Sequence, residues 1–412
     1  MTEDDVRAWI EANWSLDMPL AEWWRRLADS GLAFPTYPSG LGGSGAAASV
    51  ARGIEQALAS AGCIGAPEGI GPSMGAATVL QHGTEEQKRR FLPPLVSGQV
   101  LWCQLFSEPG AGSDLASLAC RAERDGDEFV IAGQKVWNSG AHLAKWGLLL
   151  ARTDVDAPKH AGISYLMIDM DQPGIEARPL VQMNGAADFC EVFIDDALVP
   201  IENVIGEVND GWNVARTTLT HERASIGHRR PEGLFSVTAG RPAGKLELPV
   251  GELVEEAKAH AADPRRRRDV MVGAKSMIRL AQDTRAILHP AWRDRTIRYW
   301  INSRVHQLTI QRASEQAKRG RAGPTGSVTK LSLAMLAHES RDLSMGLLGA
   351  EGMLLDDARE HSKVQQACLS SLAPSLGGGT NEIQRNIIGE RALGLPREPG
   401  IDPDTPFRDL PK

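Results

Sequence analysis

The spacing of apolar residues changes twice along this chain, and this limits the folds that it can adopt. Up to about residue 103 they recur at helical intervals, as in LAEWWRRLADSGL and TEEQKRRFLPPLVSG. From about 104 to 206, short runs such as EFVIAGQKVW and CEVFIDDALV lie between Gly, Asp and Pro turns, which is typical of strands. Helical spacing then returns and continues to about residue 395. The sequence therefore predicts an α+β protein.

Four segments follow from this change. They are an N-terminal α-helical domain over 1–103, a middle β domain with a barrel or sandwich form over 104–206, a C-terminal helical bundle over 207–395 and a tail over 396–412. Residues 228–250 show no regular period. The run PRRRRD at 264–269 is interpreted as a solvated face, with phosphate binding as the alternative.

Composition excludes several classes of protein. A chain of 412 residues, 42% of them hydrophobic, can bury several cores. Its net charge of −7 gives no reason to expect nucleic-acid binding. The five cysteines form no CxxC pair, so we expect no metal site, no disulfide scaffold and a reducing, cytoplasmic location. The acidic first residues do not resemble a signal peptide, and no apolar run approaches the roughly 18 residues of a membrane span.

A glycine loop lies where the helical pattern gives way to the β pattern, at 104–115 (QLFSEPGAGSDL). Gly110 and Gly112 flank a tight turn, and Ser107 and Ser113 offer hydroxyl groups beside it. Glu108 is too polar for a buried strand unless it is paired. An ordinary turn is the alternative interpretation. No Lys follows the glycines, which argues against a nucleoside triphosphate site.

Two further stretches are candidates for a binding site. In KVWNSG, Trp137 is either a core residue or an aromatic wall for a flat ring system, with Ser139 as a hydrogen-bond donor to that ring. The loop PSLGGGTNEIQRN at 374–386 can bring its backbone close to a ligand at a helix N-terminus. No carboxylate, His or Cys that could react with a ligand lies in that loop before the helix.

A single carboxylate interrupts the apolar side of the helix predicted from about 208. Helical spacing collects Val208, Trp212, Ala215, Leu219, Glu222 and Ile226 on one face. In one interpretation Glu222 lies at the edge of this face and reaches water or pairs with Arg216 or Arg223. In the other it faces an apolar site, where a carboxylate has a raised pKa that suits a general base.

Four stretches together resemble the acyl-CoA dehydrogenase family in their order and spacing. They are LFSEPGAGSD, KVWNSG, EVFIDDALVPIENVIGEVNDGW and GGGTNEIQRNIIGER, and the resemblance covers nearly the whole chain. It implies FAD bound between the β domain and the C-terminal helices, and an acyl-CoA substrate. The cofactor-binding residues that it implies are Gln104, Phe106, Ser107, Gly112, Ser113, Trp137, Ser139, Gly379, Thr380, Asn381 and Glu382. Ser113 would also lie near the substrate.

The resemblance also bears on the catalytic base. Many family members carry a Glu two residues before the Thr of the C-terminal loop, where this chain has Gly378. Isovaleryl-CoA and long-chain acyl-CoA dehydrogenases instead place the base on the earlier helix, followed by Arg, as in Thr220 to Arg223 here. The resemblance therefore implies Glu222 as the base, Arg223 as a substrate contact and the Gly378 N–H as a donor to the enolate oxygen. The product would be a trans-2-enoyl-CoA.

Some expectations rest on the family alone. These are electron transfer to an electron-transfer flavoprotein, a role in fatty acid β-oxidation and a homotetramer or homodimer. GLLGAEGM at 346–353 resembles the glycine motif by which a neighbouring subunit touches the cofactor. The family's Arg-x-x-Phe-Gly motif is absent, and Arg293 and Arg295 are candidate replacements. His142 and His221 are interpreted as packing or surface residues.

Three questions stay open at the level of sequence. One alternative is an acyl-CoA oxidase that uses O₂, and another is a non-catalytic flavin-binding subunit of a heteromeric complex. The acyl group is also open, because straight-chain, branched and sterol-side-chain thioesters are all compatible with these motifs.

Overall fold

The computed structural model describes residues 3–225, 231–262, 270–319, 323–355 and 362–411. These residues form two compact units. The first consists of the described residues within 1–182, 187–259 and 400–412, and the second of those within 183–186 and 260–399. Each unit has a buried apolar core of its own. The arginine run at 264–269 lies outside the described residues.

The first unit begins with helices, as predicted. Their bounds are α1 Glu3–Asn13, α2 Leu20–Asp29, α3 Ala48–Ser60, α4 Ala76–His82 and α5 Glu85–Val96, and a π-helical turn at Gly71–Gly75 runs directly into α4. Trp23 and Trp24 of α2 are fully buried, and their indole N–H groups donate to Ile64 O at 2.7 Å and Gly65 O at 2.8 Å. These bonds satisfy the buried indole donors and fix α2 against the loop after α3.

A seven-stranded sheet follows the helices. Its strands are β1 Trp102–Leu105, β2 Arg121–Asp125, β3 Glu128–Ser139, β4 Trp146–Arg152, β5 Ile163–Asp169, β6 Ile175–Leu180 and β7 Phe189–Pro200. The order is β1-β4-β2-β3-β7-β6, with β5 also paired to β4. β1 runs parallel to β4, whereas β3 and β7 form a long antiparallel pair. One apolar core joins α4, α5, β1, β4 and β5.

Helix α6 (Gly211–Ser225) begins against β5. A Cβ on Gly211 would come within 2.4 Å of the Ser164 carbonyl carbon, so only glycine fits there. Val214, Ala215 and Thr218 are fully buried in this first unit. The close approach of Gly211 to the β5 backbone therefore fixes where α6 lies relative to the sheet.

The apolar face predicted for this helix is only partly correct. Ala215 is buried, and Trp212 and Leu219 are half-buried against the core. Val208, however, precedes the helix and is 40% exposed. Ile226 lies outside the described residues. The error arises because helical spacing was extended through Asn209, whose φ of 70° prevents a helix from including it.

The end of the chain returns to the first unit. The Phe407 ring lies 3.7 Å from the guanidinium carbon of Arg152, and Phe407 N donates to Ala157 O at 3.0 Å. Burial lowers the pKa of Arg152 to about 10. This terminal segment therefore covers a buried cation of the sheet.

The second unit is helical. Helix α7 (Val250–Ala262) leads into it, and α8 Ala274–Asp283, α9 Pro290–Lys318, α10 Thr325–Leu348, α11 Ser362–Ser370, α12 Ala373–Leu376 and α13 Asn381–Ala392 compose it. Its core is built on Met277, Leu280, Tyr299, Leu336 and Leu343. The order of helices, strands and helices along the chain confirms the predicted α+β fold class. The predicted domain boundaries stay predictions.

Two classes of feature are absent from the part of the chain that the structure describes. None of its helices is both long and apolar enough to cross a membrane. No group of three or more His, Cys, Asp or Glu side chains there is arranged to hold a metal ion.

Candidate active site

The loop after β1 is a closed turn. Glu108 N donates to Ala111 O at 3.0 Å and Ala111 N donates back to Glu108 O at 3.1 Å. Ser107 O accepts from Val136 N at 2.9 Å, which joins the start of this loop to β3. The two predicted cofactor stretches, 104–113 and KVWNSG, are therefore neighbours in the first unit.

A buried ion pair holds this loop in place. The Lys135 side chain is fully buried, and its ammonium donates to Glu108 Oε1 at 2.8 Å, Phe106 O at 3.1 Å and Leu150 O at 2.8 Å. Glu108 also accepts from the backbone N–H groups of residues 119 and 120, at 2.7 and 2.9 Å. All three ammonium donors are used. A buried pair saturated in this way fixes geometry, whatever its net contribution to stability.

Trp137 has an unusual backbone conformation. Its φ is 64°, and the β3–β7 register shifts between Val136 and Asn138. The side chain is 61% exposed, with its ring centroid 6.0 Å from that of Phe189. The interpretation of Trp137 as a core residue is therefore wrong. A non-glycine residue held at positive φ costs free energy, and such positions concentrate at functional sites.

The surroundings of Trp137 fit a polar, flat ligand. Asn138 is 2% exposed, and its Nδ2 donates to Gln104 O at 2.6 Å. Its Oδ1 is buried and has no hydrogen-bond partner among the residues described. A Cβ on Gly112 would meet nothing within 4 Å, so the glycine leaves open space beside the loop. Ser107 and Ser139 are half-buried, and Ser113 is exposed.

On α6, Glu222 lies one turn beyond a buried hydroxyl cluster. Thr218 Oγ1 is 2.8 Å from Thr78 Oγ1 and 3.1 Å from Tyr165 Oη. Glu222 and His221 are both half-buried. The side chain of Arg223 lies outside the described residues. Four residues separate Thr218 from Glu222, so the two lie on the same side of the helix.

The second unit contains the glycine loop before α13. Gly378 and Gly379 have φ values of 66° and 87°, a region that favours glycine. Thr380 caps the helix, its side chain accepting from Ile383 N at 3.3 Å. Gln384 Nε2 donates to Gly378 O at 2.8 Å. No residue in the described ranges accepts a hydrogen bond from the Gly378 N–H.

Polar groups around this loop also suit a ligand. Asn381 Nδ2 donates to Ser375 Oγ at 3.1 Å, and Ser375 Oγ lies 2.9 Å from His338 Nε2. The Oδ1 of Asn381 and the Oε1 of Gln384 are buried without partners among the described side chains and backbone. Glu382 is exposed and pairs with Arg385 at 3.1 Å.

Sequence reasoning missed several residues that shape these two regions. Lys135, Tyr165 and Thr218 were not singled out, although a Lys within the β-like run KVW was a usable signal. Lys330 of α10 was also missed. It is 3% exposed, burial lowers its pKa, and its Nζ has no hydrogen-bond partner in the described parts of the chain.

The remaining predicted residues have simpler surroundings. His142 Nδ1 lies 3.2 Å from Cys190 Sγ. Arg295 lies over the ring of Trp292, 4.8 Å from its centroid. Gly346 lies close to that ring too, since a Cβ there would come within 2.5 Å of the indole. In the 346–353 stretch, Gly346 is thus explained by packing inside the unit.

Comparison with known families matches all three parts of this fold. Residues 2–99 match "Acyl-CoA dehydrogenase, N-terminal domain", residues 103–197 match the middle domain and residues 271–393 match the C-terminal domain. The chain belongs to the acyl-CoA dehydrogenase family and is an oxidoreductase.

Individual relatives agree with this assignment. Acyl-CoA dehydrogenase IpdE1 of Mycobacterium tuberculosis is 38% identical over 376 residues, which cover 91% of this chain and 88% of the relative. Acyl-CoA dehydrogenase FadE34 of the same organism is 38% identical over 90% of this chain, which spans 46% of that longer protein. A solved structure described as "Tcur3481-Tcur3483 steroid ACAD" superposes with a TM-score of 0.67 at 27% identity, covering 96% of this chain and 97% of that one.

Proposed function

We propose that this acyl-CoA dehydrogenase is FAD-dependent and converts an acyl-CoA thioester to the trans-2-enoyl-CoA, with Glu222 as the base. The observation that carries the proposal is the position of Glu222. It is a half-buried carboxylate on α6, one turn beyond the buried hydroxyl of Thr218. The alternative base position of the family, in the C-terminal loop, is occupied by Gly378. A chain with neither carboxylate would have no candidate base at the family's two positions.

The proposed reaction divides the work among this chain's residues. Glu222 removes the proton from the α-carbon, and negative charge then develops on the thioester oxygen. The Gly378 N–H, unbonded within the described residues, donates to that oxygen. Preorganised donors of this kind commonly lower a barrier by several kcal/mol. FAD, when bound, supplies the acceptor, at its N5, for the hydride that leaves the β-carbon.

The residues proposed to contact the cofactor fall into two sets. In the first unit we assign Gln104, Phe106, Ser107, Gly112, Ser113, Trp137 and Ser139, and in the second Gly379, Thr380, Asn381 and Glu382. The unpartnered Asn138 and Asn381 oxygens support this assignment, because buried polar atoms normally have partners. Ser113 and Arg223 are proposed as substrate contacts.

We further propose that the acyl group is a steroid side chain or a similarly bulky thioester. Support comes from the solved relative described as a steroid ACAD. A straight-chain substrate of fatty acid β-oxidation is the alternative. The proposed electron acceptor is an electron-transfer flavoprotein, with O₂ as the alternative.

The oligomeric state is a separate proposal. The family favours a homotetramer or homodimer, but the same solved relative is described by two chain names, which favours a second, different subunit. Purified chain that binds FAD and turns over alone would support the homo-oligomer. Chain that requires a co-expressed partner for FAD binding would support the heteromer.

The test of the activity is anaerobic mixing of the flavin-loaded protein with a panel of acyl-CoA thioesters. We expect rapid bleaching of the oxidised flavin, fastest with the steroid side chain and slower with straight chains. No bleaching by any thioester would contradict the proposed activity. Stoichiometric peroxide in air without an added acceptor would favour the oxidase.

A further inference from the structure

Three buried hydroxyl groups meet in the first unit. They belong to Thr78 of α4, Tyr165 of β5 and Thr218 of α6, and each side chain is fully buried. Thr218 Oγ1 lies 2.8 Å from Thr78 Oγ1 and 3.1 Å from Tyr165 Oη. Thr78 Oγ1 also donates to Met74 O at 3.0 Å, within the π-helical turn that precedes α4.

Counting protons gives these hydrogen bonds a direction. Thr78 uses its only hydroxyl proton on Met74 O, so it accepts from Thr218. Thr218 has then used its own proton, so it accepts from Tyr165. The chain of donation runs from Tyr165 through Thr218 and Thr78 to the Met74 carbonyl. Every donor is used, and removing the Thr218 or the Thr78 hydroxyl leaves a buried O–H donor unsatisfied.

The hydroxyl chain fixes α6 in a way that apolar packing alone does not. Val214 and Ala215 are buried, but such contacts tolerate small rotations and slides. Thr217, the neighbour of Thr218, lies 2.8 Å from His82 Nε2 at the end of α4. Two adjacent residues of α6 thus form directional bonds to α4, which together restrict both the rotation and the translation of the helix.

Glu222 lies immediately beyond this anchor. Four residues correspond to about 6 Å along a helix and about 40° around it. No break in the helix separates Thr218 from Glu222. Any shift of the anchored turn therefore moves the Glu222 backbone by nearly the same amount.

Tyr165 also contacts the predicted cofactor segment. Its ring meets that of Phe106 edge to face, with centroids 5.8 Å apart at 88°. Phe106 is 3% exposed and follows β1 directly. One side chain therefore links the segment that would hold the flavin to the helix that carries the carboxylate.

From this geometry we propose that Tyr165, Thr218 and Thr78 are positioning residues for Glu222, a role that rests on the proposed function of Glu222 as the base. The hydroxyl chain sets where α6 lies relative to β5 and to the loop after β1. None of the three residues is proposed to touch the substrate. Their hydroxyl groups affect the rate because proton removal depends steeply on the placement of the base.

The test replaces the central hydroxyl without changing the shape of the side chain. Thr218→Val removes it, Thr218→Ser keeps it, and Tyr165→Phe removes the first donor. We expect Thr218→Val to lower kcat roughly 10- to 100-fold with little change in KM, because a small misplacement of a catalytic group costs that much. Thr218→Ser should recover most of the rate. With an α-deuterated thioester the isotope effect should rise in Thr218→Val, as proton removal becomes more rate-limiting.

Matched controls come from the second unit. Thr296 is 1% exposed and donates to Trp292 O at 2.7 Å, and Tyr299 is fully buried and donates to Val272 O at 2.6 Å. Thr296→Val and Tyr299→Phe should lower Tm as much as Thr218→Val and Tyr165→Phe do, yet leave kcat and the isotope effect unchanged. If Thr218→Val is too unstable to purify, Tyr165→Phe, which keeps the Thr218–Thr78 bond, decides the question by the same readouts.

The outcomes distinguish the positioning role of the three hydroxyl groups from the assignment of Glu222 as the base. Unchanged kcat and isotope effect in Thr218→Val and Tyr165→Phe, beside an inactive Glu222→Gln, would overturn the positioning role alone. A fully active Glu222→Gln would overturn the assignment of the base. An equal loss of rate in Thr218→Val and Thr218→Ser would show that the hydroxyl is not the cause.

Discussion

At the scale of single residues, Trp137 combines a strained backbone with an exposed side chain. Its φ of 64° is unfavourable for a residue with a Cβ, and its indole is 61% exposed. Burial of the indole therefore offsets little of the free-energy cost of this backbone conformation, which is about 1–2 kcal/mol. The exposed indole is available as the wall of a flavin site, as proposed above.

Replacing Trp137 with glycine should consequently cost little stability. Relief of strain stabilises the folded state by about 1–2 kcal/mol. The greater flexibility of the unfolded chain and the loss of the Phe189 contact each lower the free energy of unfolding by about 0.5–1 kcal/mol. We expect the free energy of unfolding of Trp137→Gly to stay within about 1 kcal/mol of the wild type. Flavin affinity should fall up to about tenfold through lost stacking. Denaturant titration and flavin content measure both quantities.

Trp102 provides the control for this prediction. It is fully buried in β1, so Trp102→Gly should cost about 3–5 kcal/mol or more. A loss of that size in Trp137→Gly would mean that Trp137 is a packing residue after all. Unchanged flavin affinity would remove the support for a flavin wall.

At the scale of elements, the Lys135–Glu108 pair fastens the loop after β1 to β3. Lys135→Met leaves Glu108 buried without its cation, and we expect a loss of about 3–5 kcal/mol in the free energy of unfolding. The double variant Lys135→Met/Glu108→Gln should recover part of that loss, because no uncompensated charge remains. Denaturant unfolding of the single and double variants measures the coupling.

An exposed pair on the same sheet sets the baseline. Arg178 and Glu176 of β6 are both more than half exposed, so Arg178→Met should cost less than about 1 kcal/mol. A Lys135→Met variant no less stable than Arg178→Met would contradict the claim that the buried pair holds the loop.

The elements also show what could be predicted from sequence. Strands β3 and β7 were predicted because their apolar residues stand out between turns. β2 reads RAERD, and only its alanine is buried, so no apolar pattern marked it. β1 has four residues and shows no alternation. Strands that rely on their neighbours for pairing give little local signal.

The candidate site likewise contains some features that could be predicted from the sequence and others that could not. The need of Glu108 for a partner could be predicted from its chemistry, but its pairing with Lys135 depends on how two strands align. The bond between Thr78 and Thr218 joins residues 140 positions apart. Nothing in the spacing of either threonine reveals it, because helical periodicity identifies apolar faces and treats a buried hydroxyl as polar.

At the scale of the whole molecule, three histidines whose pKa values are lowered in the folded chain make stability depend on pH. Burial lowers the pKa of His82, His160 and His306 from the ordinary value. The unfolded chain, with an ordinary histidine pKa near 6.5, binds protons that the folded chain does not. Stability is therefore full above about pH 7 and falls as the pH drops through about 6.5.

Denaturant midpoints at pH 7.5 and 5.5, at constant ionic strength, measure this dependence. We expect a lower midpoint at pH 5.5. His306→Gln should reduce the difference, because His306 is 8% exposed and its burial lowers the pKa of the ring in the folded chain. Equal or greater stability at pH 5.5 would contradict the account.

The central claim, that this enzyme's base lies on α6 rather than in the C-terminal loop, can be measured directly. Flavin-loaded Glu222→Gln should bind as much FAD as the wild type, but its anaerobic reduction by the best thioester should be roughly 10²- to 10⁴-fold slower, the usual contribution of a general base. Glu207→Gln, which changes an exposed carboxylate just before α6, should reduce at the wild-type rate. Wild-type reduction by Glu222→Gln would contradict the claim.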